Sequence, residues 1–178
     1  MDPAELKAIV RTIPDFPKPG ILFRDITTLI AHGRGFAATI DRLVDRAQMA
    51  DASAVAGIEA RGFIFGAAVA ARLGIGFVPL RKPGKLPLDT IGIDYQLEYG
   101  DARLELDPNA IDTGEKVLLM DDLLATGGTA CAAVDLLREA GAHVHHALFV
   151  IDLHELGGGE KLRAAGVTSQ AIMQFGNE

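Results

Sequence analysis

Hydrophobic and polar positions alternate along this chain in a strand, turn, helix rhythm. The continuous apolar run 117–120 suits a strand covered on both faces. Further strands are predicted at 54–58, 76–80, 143–152 and 167–173. Phe36, Ile40, Leu43 and Ala47 recur at helical spacing, which predicts an amphipathic helix over 35–49. Helices are also predicted over 63–73 and 129–140, the latter closed by Gly141, and a short one follows the glycine-rich turn at 156–159. At the start, Asp2, Pro3 and Glu5 form a capping box with proline at the first helical position, so a helix should run to about Arg11. Three prolines and a glycine stiffen 14–28 into an extended strap. The alternation in 94–100 and 102–106 predicts an antiparallel pair, and the Pro/Gly-punctuated stretch 83–92 an exposed, mobile loop.

Candidate chemistry concentrates where a strand runs into a helix. After 117–120 come Asp121 and Asp122, then Ala125, Thr126, Gly127, Gly128 and Thr129 at a helix start. Unpaired N–H groups, the positive end of the helix dipole and close-approaching glycines make such a turn a phosphate cradle, with two threonine hydroxyls as extra donors. Adjacent carboxylates in a half-wet site repel by ~4 kcal/mol at an effective dielectric of about 20, so a cation or sugar hydroxyls should lie beside them. A connecting turn behind a solvated strand end would read the same if either dipeptide stood alone. The second strand-turn-helix unit carries Arg61, whose planar fork suits phosphate oxygens and whose charge opposes the local helix dipole, so an anion should compensate it.

The remaining groups read less sharply. Arg81, Lys82 and Lys85 form a basic cluster in a chain of formal charge -7. Phe23 and Arg24 could strap the fold or hold a flat heterocycle. Glu98 would face solvent on a strand, or be desolvated beneath a lid and fit for proton transfer. His143 and His145 share one face of a strand without a recognisable third metal ligand. The one cysteine, Cys131, sits in a small-residue helical run and reads as packing. Composition excludes several classes. The acidic balance argues against a broad nucleic-acid surface, and no stretch approaches the ~18 apolar residues of a membrane helix. An N-terminus without a signal pattern and the lone cysteine point to a reducing cytoplasm.

Taken in order, FPKPGILFRDIT, EARGFIFG, RKPGKLP, YQLEYG and DDLLATGGT closely resemble the adenine phosphoribosyltransferase family, of the type I phosphoribosyltransferases. The resemblance covers nearly the whole chain. It implies an α/β fold, a mostly parallel sheet flanked by helices, as one domain over 1–178, with a small hood at about 14–30 and a flexible loop and hairpin at about 82–106. It also implies transfer of phosphoribose from 5-phosphoribosyl 1-diphosphate (PRPP) to adenine, giving AMP and diphosphate with Mg2+, by a cytoplasmic homodimer. Asp121 and Asp122 would hold the ribose hydroxyls and help the magnesium that the diphosphate and ribose carry. The turn from Ala125 to Thr129 would wrap the 5′-phosphate. Arg61 and the Glu59-Ala60 turn, often cis in the family, would meet the diphosphate, with Lys82 nearby and Arg81 reaching the partner's site. Leu22, Phe23 and Arg24 would form the adenine pocket, Glu98 would move the proton and Tyr99 would lie beside the reacting centre. Met120 and Gly159 depart from the family's usual β-branched residue and arginine. A transferase for another purine and a PRPP-sensing regulator are the rival readings.

Overall fold

The computed structural model describes residues 1–97 and 100–176. The chain opens with α1 (Pro3–Ile9), whose Asp2 and Glu5 exchange the two bonds of a capping box at 2.8 and 2.7 Å. It ends short of Arg11 because β1 (Arg11–Pro14) pairs antiparallel with β2 (Leu22–Asp25). The stiff strap therefore folds into a two-stranded ribbon, and α2 (Thr27–Ala31) follows it. Next come α3 (Gly33–Met49), β3 (Ala54–Ile58), α4 (Arg61–Leu73) and β4 (Gly76–Leu80). A hairpin of β5 (Ile91–Leu97) and β6 (Gly100–Leu106) leads to β7 (Val117–Leu124) and α5 (Gly128–Glu139). The chain closes with β8 (His146–Asp152), α6 (Gly158–Ala164) and β9 (Thr168–Gln174).

Five strands form a parallel sheet in the order β4-β3-β7-β8-β9. Alternate residues of the central strands feed two separate cores. Val117 and Leu119 pack with Ala54, Ala56 and the α5 residues Ala133, Val134 and Leu137. Leu118 and Met120 pack on the other face with Val55, Phe65 and Leu43. Met120 is fully buried there, so this departure from the usual β-branched residue fills core volume.

Other boundaries also differ from expectation. β7 runs through Asp121 and Asp122 to Leu124, because pairing with β8 continues to Leu124 opposite Asp152. β8 begins only at His146; His143 instead bridges to Lys116. The hairpin starts at Ile91 rather than 94, since Gly92 faces Glu105 in the ladder and leaves room for the Arg103 guanidinium, which a side chain at 92 would strike at 2.4 Å. Arg103 there donates to Asp94 and Glu105 at 3.1 and 3.0 Å. The hairpin is seated on the core through Ile91, Ile93, Tyr95, Leu104 and Leu106.

The β1-β2 ribbon is tied to its own base by Asp25. Hydrogen bonding from the Thr27 hydroxyl, from Arg11 and from the Thr27 amide holds this carboxyl down to about 2, against the cost of burial. Arg11 Nε donates at 3.1 Å and the Thr27 amide at 2.9 Å. A depressed carboxyl stabilises the fold above its unfolded value near 4, and that contribution is lost as pH falls through about 2. Asp25→Asn is expected to cost about 1–2 kcal/mol at neutral pH, after allowance for solvent screening of the exposed Arg11. In urea titrations at fixed protein concentration the gap to wild type should narrow below about pH 4.

Candidate active site

The carboxyl ends of β3, β4, β7 and β8 open into one cleft of about 1430 Å³. Ligands of open parallel sheets bind at this edge, beyond the strand ends. Ile58, Glu59, Ala60 and Arg61 line it from β3, Lys82 and Pro83 from β4, and Asp121 through Ala130 from β7 and its turn. Hairpin residues from Asp94 to Leu97 and Asp101 to Leu104 form a further wall, and Leu153 and Leu156 an apolar one.

Ala125, Thr126, Gly127, Gly128 and Thr129 form the predicted turn into α5. Gly127 takes φ +86, a left-handed conformation that glycine supplies without steric cost. Its carbonyl accepts from the Cys131 amide at 2.9 Å, and Gly128, Thr129 and Ala130 at the helix start, whose amides have no partner within the helix, line the cleft. The run Gly157–Gly159 packs behind this turn: a Cβ on Gly158 would lie 2.4 Å from the Ala125 carbonyl oxygen. Gly159 has only the Ser169 hydroxyl in reach, at 3.4 Å, and does not line the cleft.

The acid pair is held from within the protein. Asp122 Oδ2 accepts from Arg61 Nε at 2.6 Å, and Asp121 Oδ1 accepts from the Asp122 amide at 2.8 Å. Burial and the Asp122 carboxylate push the Asp121 carboxyl well above the ordinary range, against the pull of the Asp122 amide and Arg61. Burial works against the Arg61 charge, yet Asp122, Asp121 and Asp25 outweigh it and raise its pKa. The anion that compensates Arg61 is thus Asp122, a pairing not foreseen from sequence. Gly62 makes the approach feasible, since a Cβ there would lie 2.8 Å from Asp121 Oδ1. The Glu59-Ala60 peptide next to Arg61 is cis.

Arg81 and Lys82 gather on Glu59, whose Oε2 accepts from Arg81 Nε at 3.4 Å and the Lys82 amide at 2.6 Å. Burial raises the Glu59 carboxyl, but the Lys82 amide and Arg81 overcome it and leave the pKa below its ordinary value. Lys82 lines the cleft, while the Arg81 guanidinium lies 6.0 Å from the Phe63 ring centre.

The strap borders the cleft on the N-terminal side of β2. Ile21 reaches the cleft wall, whereas Leu22, Phe23 and Arg24 do not line it. The Phe23 ring stands edge-on to Phe16 at 5.1 Å. Arg24 is turned to the C-terminal segment: it donates to Thr12 Oγ1 at 2.7 Å and Gly176 O at 2.9 Å and stacks 4.6 Å over Phe175. Its charge secures the ribbon rather than facing the cleft. Glu98 and Tyr99 lie outside the described residues. His143 and His145 stack at 6.1 Å at the opposite edge of the sheet, and no group of three metal-ligating side chains occurs among the described residues. Cys131 is half-buried with its thiol pushed up by burial, as a packing residue would be.

A paired carboxylate beside a phosphate cradle suits a hard cation that arrives with its phosphate oxygens, since magnesium is commonly held by one or two carboxylates plus substrate phosphates. Asp121 and Asp122 are the candidates to touch it.

The fold and turn are those of the phosphoribosyl transferase domain, which matches residues 24–166. The adenine phosphoribosyltransferase of Novosphingobium aromaticivorans is 70% identical over 171 residues, covering 96% of each chain. The crystal structure of the adenine phosphoribosyltransferase of Thermoanaerobacter pseudethanolicus superposes with a TM-score of 0.92 at 43% identity, over 97% of this chain and 99% of that one. The Saccharomyces cerevisiae enzyme, solved with adenine and an imino-altritol bisphosphate, gives 0.90 at 36% identity over 96% and 98%. The chain therefore belongs to the adenine phosphoribosyltransferase family.

Proposed function

We propose that this chain transfers phosphoribose from PRPP to adenine, releasing diphosphate and making AMP in purine salvage. The observation that carries this is the meeting, in one cleft, of the turn from Ala125 to Thr129, the acid pair and Arg61. The turn holds the 5′-phosphate by its amides and the Thr126 and Thr129 hydroxyls. Asp121 and Asp122 hold the ribose hydroxyls, and Arg61, Lys82 and the Glu59-Ala60 turn face the diphosphate. Charge develops on the diphosphate as its bond to the anomeric carbon breaks, so Arg61 stabilises the transition state more than the ground state. Magnesium, when bound, neutralises the same oxygens.

Adenine enters between the β2 ribbon, with Ile21 at the wall, and the apolar side formed by Leu153 and Leu156. Leu22, Phe23 and Arg24 set the position of that ribbon, and its backbone edge reads the base. Glu98 takes the proton from the attacking ring nitrogen, and Tyr99 closes over the reacting carbon with the hairpin, excluding water that would otherwise hydrolyse it. The protein is one domain over 1–178, with its hood at about 14–30 and its lid at about 82–106. It works in the cytoplasm as a homodimer, with Arg81 leaving Glu59 to reach the partner's diphosphate. No described helix is long and apolar enough to cross a membrane.

The test is incubation with PRPP, magnesium and a panel of bases, read by nucleotide and diphosphate formation. AMP from adenine is the expected product. Turnover of hypoxanthine in preference to adenine overturns the base assignment, and no turnover with any base leaves a PRPP sensor.

A further inference from the structure

Glu59 places a carboxylate in the wall where the leaving group is expected. Its side chain is 15% exposed at the end of β3, and its own amide is fixed to Leu80 O at 2.9 Å, so the backbone stays in place while the carboxylate can turn about its side-chain bonds. One oxygen accepts from both the Lys82 amide and Arg81 Nε. A backbone amide and the edge of a guanidinium are the donors a phosphate oxygen uses. Glu59 is anionic at neutral pH, so it occupies these donors with charge of the same sign as the ligand.

We infer that Glu59 is a positioning residue that stands in for the diphosphate: it holds Arg81 and the Lys82 amide in the unliganded protein and yields them when diphosphate binds. This rests on the proposed function, in that diphosphate binds at this edge beside the Lys82 amide while Arg81, once freed from Glu59, reaches the diphosphate of the partner's site. Glu59 thereby keeps the basic corner ordered and also weakens anion affinity, which favours product release. A carboxylate with a scaffolding role alone would have the opposite signature, since its loss would disorder the corner and weaken binding.

The experiment is calorimetric titration of the full chain with inorganic diphosphate in excess magnesium. Glu59→Gln keeps the shape and an acceptor for the Lys82 amide but removes the charge, and is expected to bind diphosphate about tenfold tighter, a modest charge–charge contact in size. It should also lower KM for PRPP, and lower kcat where release limits turnover. Glu59→Asp, whose shorter stem withdraws the carboxylate from the Lys82 amide, should gain about threefold in the same direction. The gain should vanish in Glu59→Gln/Arg81→Gln, because the freed guanidinium is its source. Equal or weaker binding by the single variants, or a gain that survives loss of Arg81, overturns the inference alone. Absence of diphosphate binding by the wild type overturns it together with the reading it rests on.

Discussion

Arg61→Met is expected to lower kcat/KM for the transfer by about 10²–10³, the loss typical of removing one preorganised charge from a developing anion. The basis is geometric. Among the described residues only Nε of the guanidinium is committed, to Asp122 Oδ2 at 2.6 Å, which leaves the rest of the fork for the diphosphate. Asp122 and Asp121 raise the pKa of Arg61 despite burial, so the cation persists at any working pH. Because the diphosphate gains charge as its bond breaks, the loss should fall mainly on kcat, with KM for PRPP changing less. The variant also leaves the Asp122 side chain, 7% exposed, without its cation. Some stability should be lost with it, because a buried carboxylate is left uncompensated. Folding and chemistry separate by measuring single-turnover rates where circular dichroism shows the variant folded. Arg61→Lys should recover the charge but not the fork, and so fall between the two. Activity of Arg61→Met within about threefold of wild type would remove Arg61 from the transition state.

Local signals explain which parts of this architecture were legible in the amino-acid sequence. Ala54–Ile58 and Gly76–Leu80 were found to the residue because short apolar runs bounded by polar and glycine residues allow few alternatives. The turn around Gly127 was found because φ +86 requires glycine where a strand enters a helix. The capping box of Asp2 and Glu5 spans only three residues and was equally plain. Contacts between distant residues were not legible. Arg61 and Asp122 are 61 positions apart, and Arg24 and Gly176 are 152 apart. Nothing near either arginine says which acid or carbonyl will receive it. This is why the residues around Arg24 give no hint of its bonds to Thr12 and Gly176. The same holds for β1 and β2: prolines correctly excluded a helix, but pairing of Arg11 with Asp25 depends on a loop closing over the intervening residues. The apolar run 117–120 bounds the predicted strand just before Asp121 and Asp122, whereas β8 continues the ladder past them. Tertiary pairing overrode local polarity there.

Gly158→Ala is expected to lower kcat/KM by about 10- to 100-fold, chiefly by raising KM for PRPP, although the residue touches no ligand. Gly158 opens α6 directly behind the phosphate turn. Its added methyl would lie 2.4 Å from Ala125 O and 2.8 Å from Leu124 Cδ1. The leucine can rotate away, but the oxygen belongs to backbone. Ala125 C=O and Thr126 N–H share one rigid peptide plane, so pushing the carbonyl turns the amide that helps cradle the phosphate. Relief in the other direction is limited, because Gly127 already lies close enough that a Cβ on it would be 3.0 Å from Gly158 Cα. The far end of the turn is held by α5, and Leu153 N donates to Leu124 O at 2.9 Å, locking β8 to β7 just before it. Gly159→Ala is the internal control: one residue along the same helix, its methyl meets only Ser169 Oγ at 3.4 Å, an ordinary contact. In the absence of a clash, glycine to alanine in a helix stabilises a protein by about 0.4–1 kcal/mol through the unfolded chain. Gly159→Ala should therefore melt slightly higher than wild type with unchanged kinetics, while Gly158→Ala loses PRPP affinity even where its melting temperature is close to normal. Equal KM values for the two variants would mean that the Ala125 peptide can yield without turning the Thr126 amide, and would take α6 out of the site.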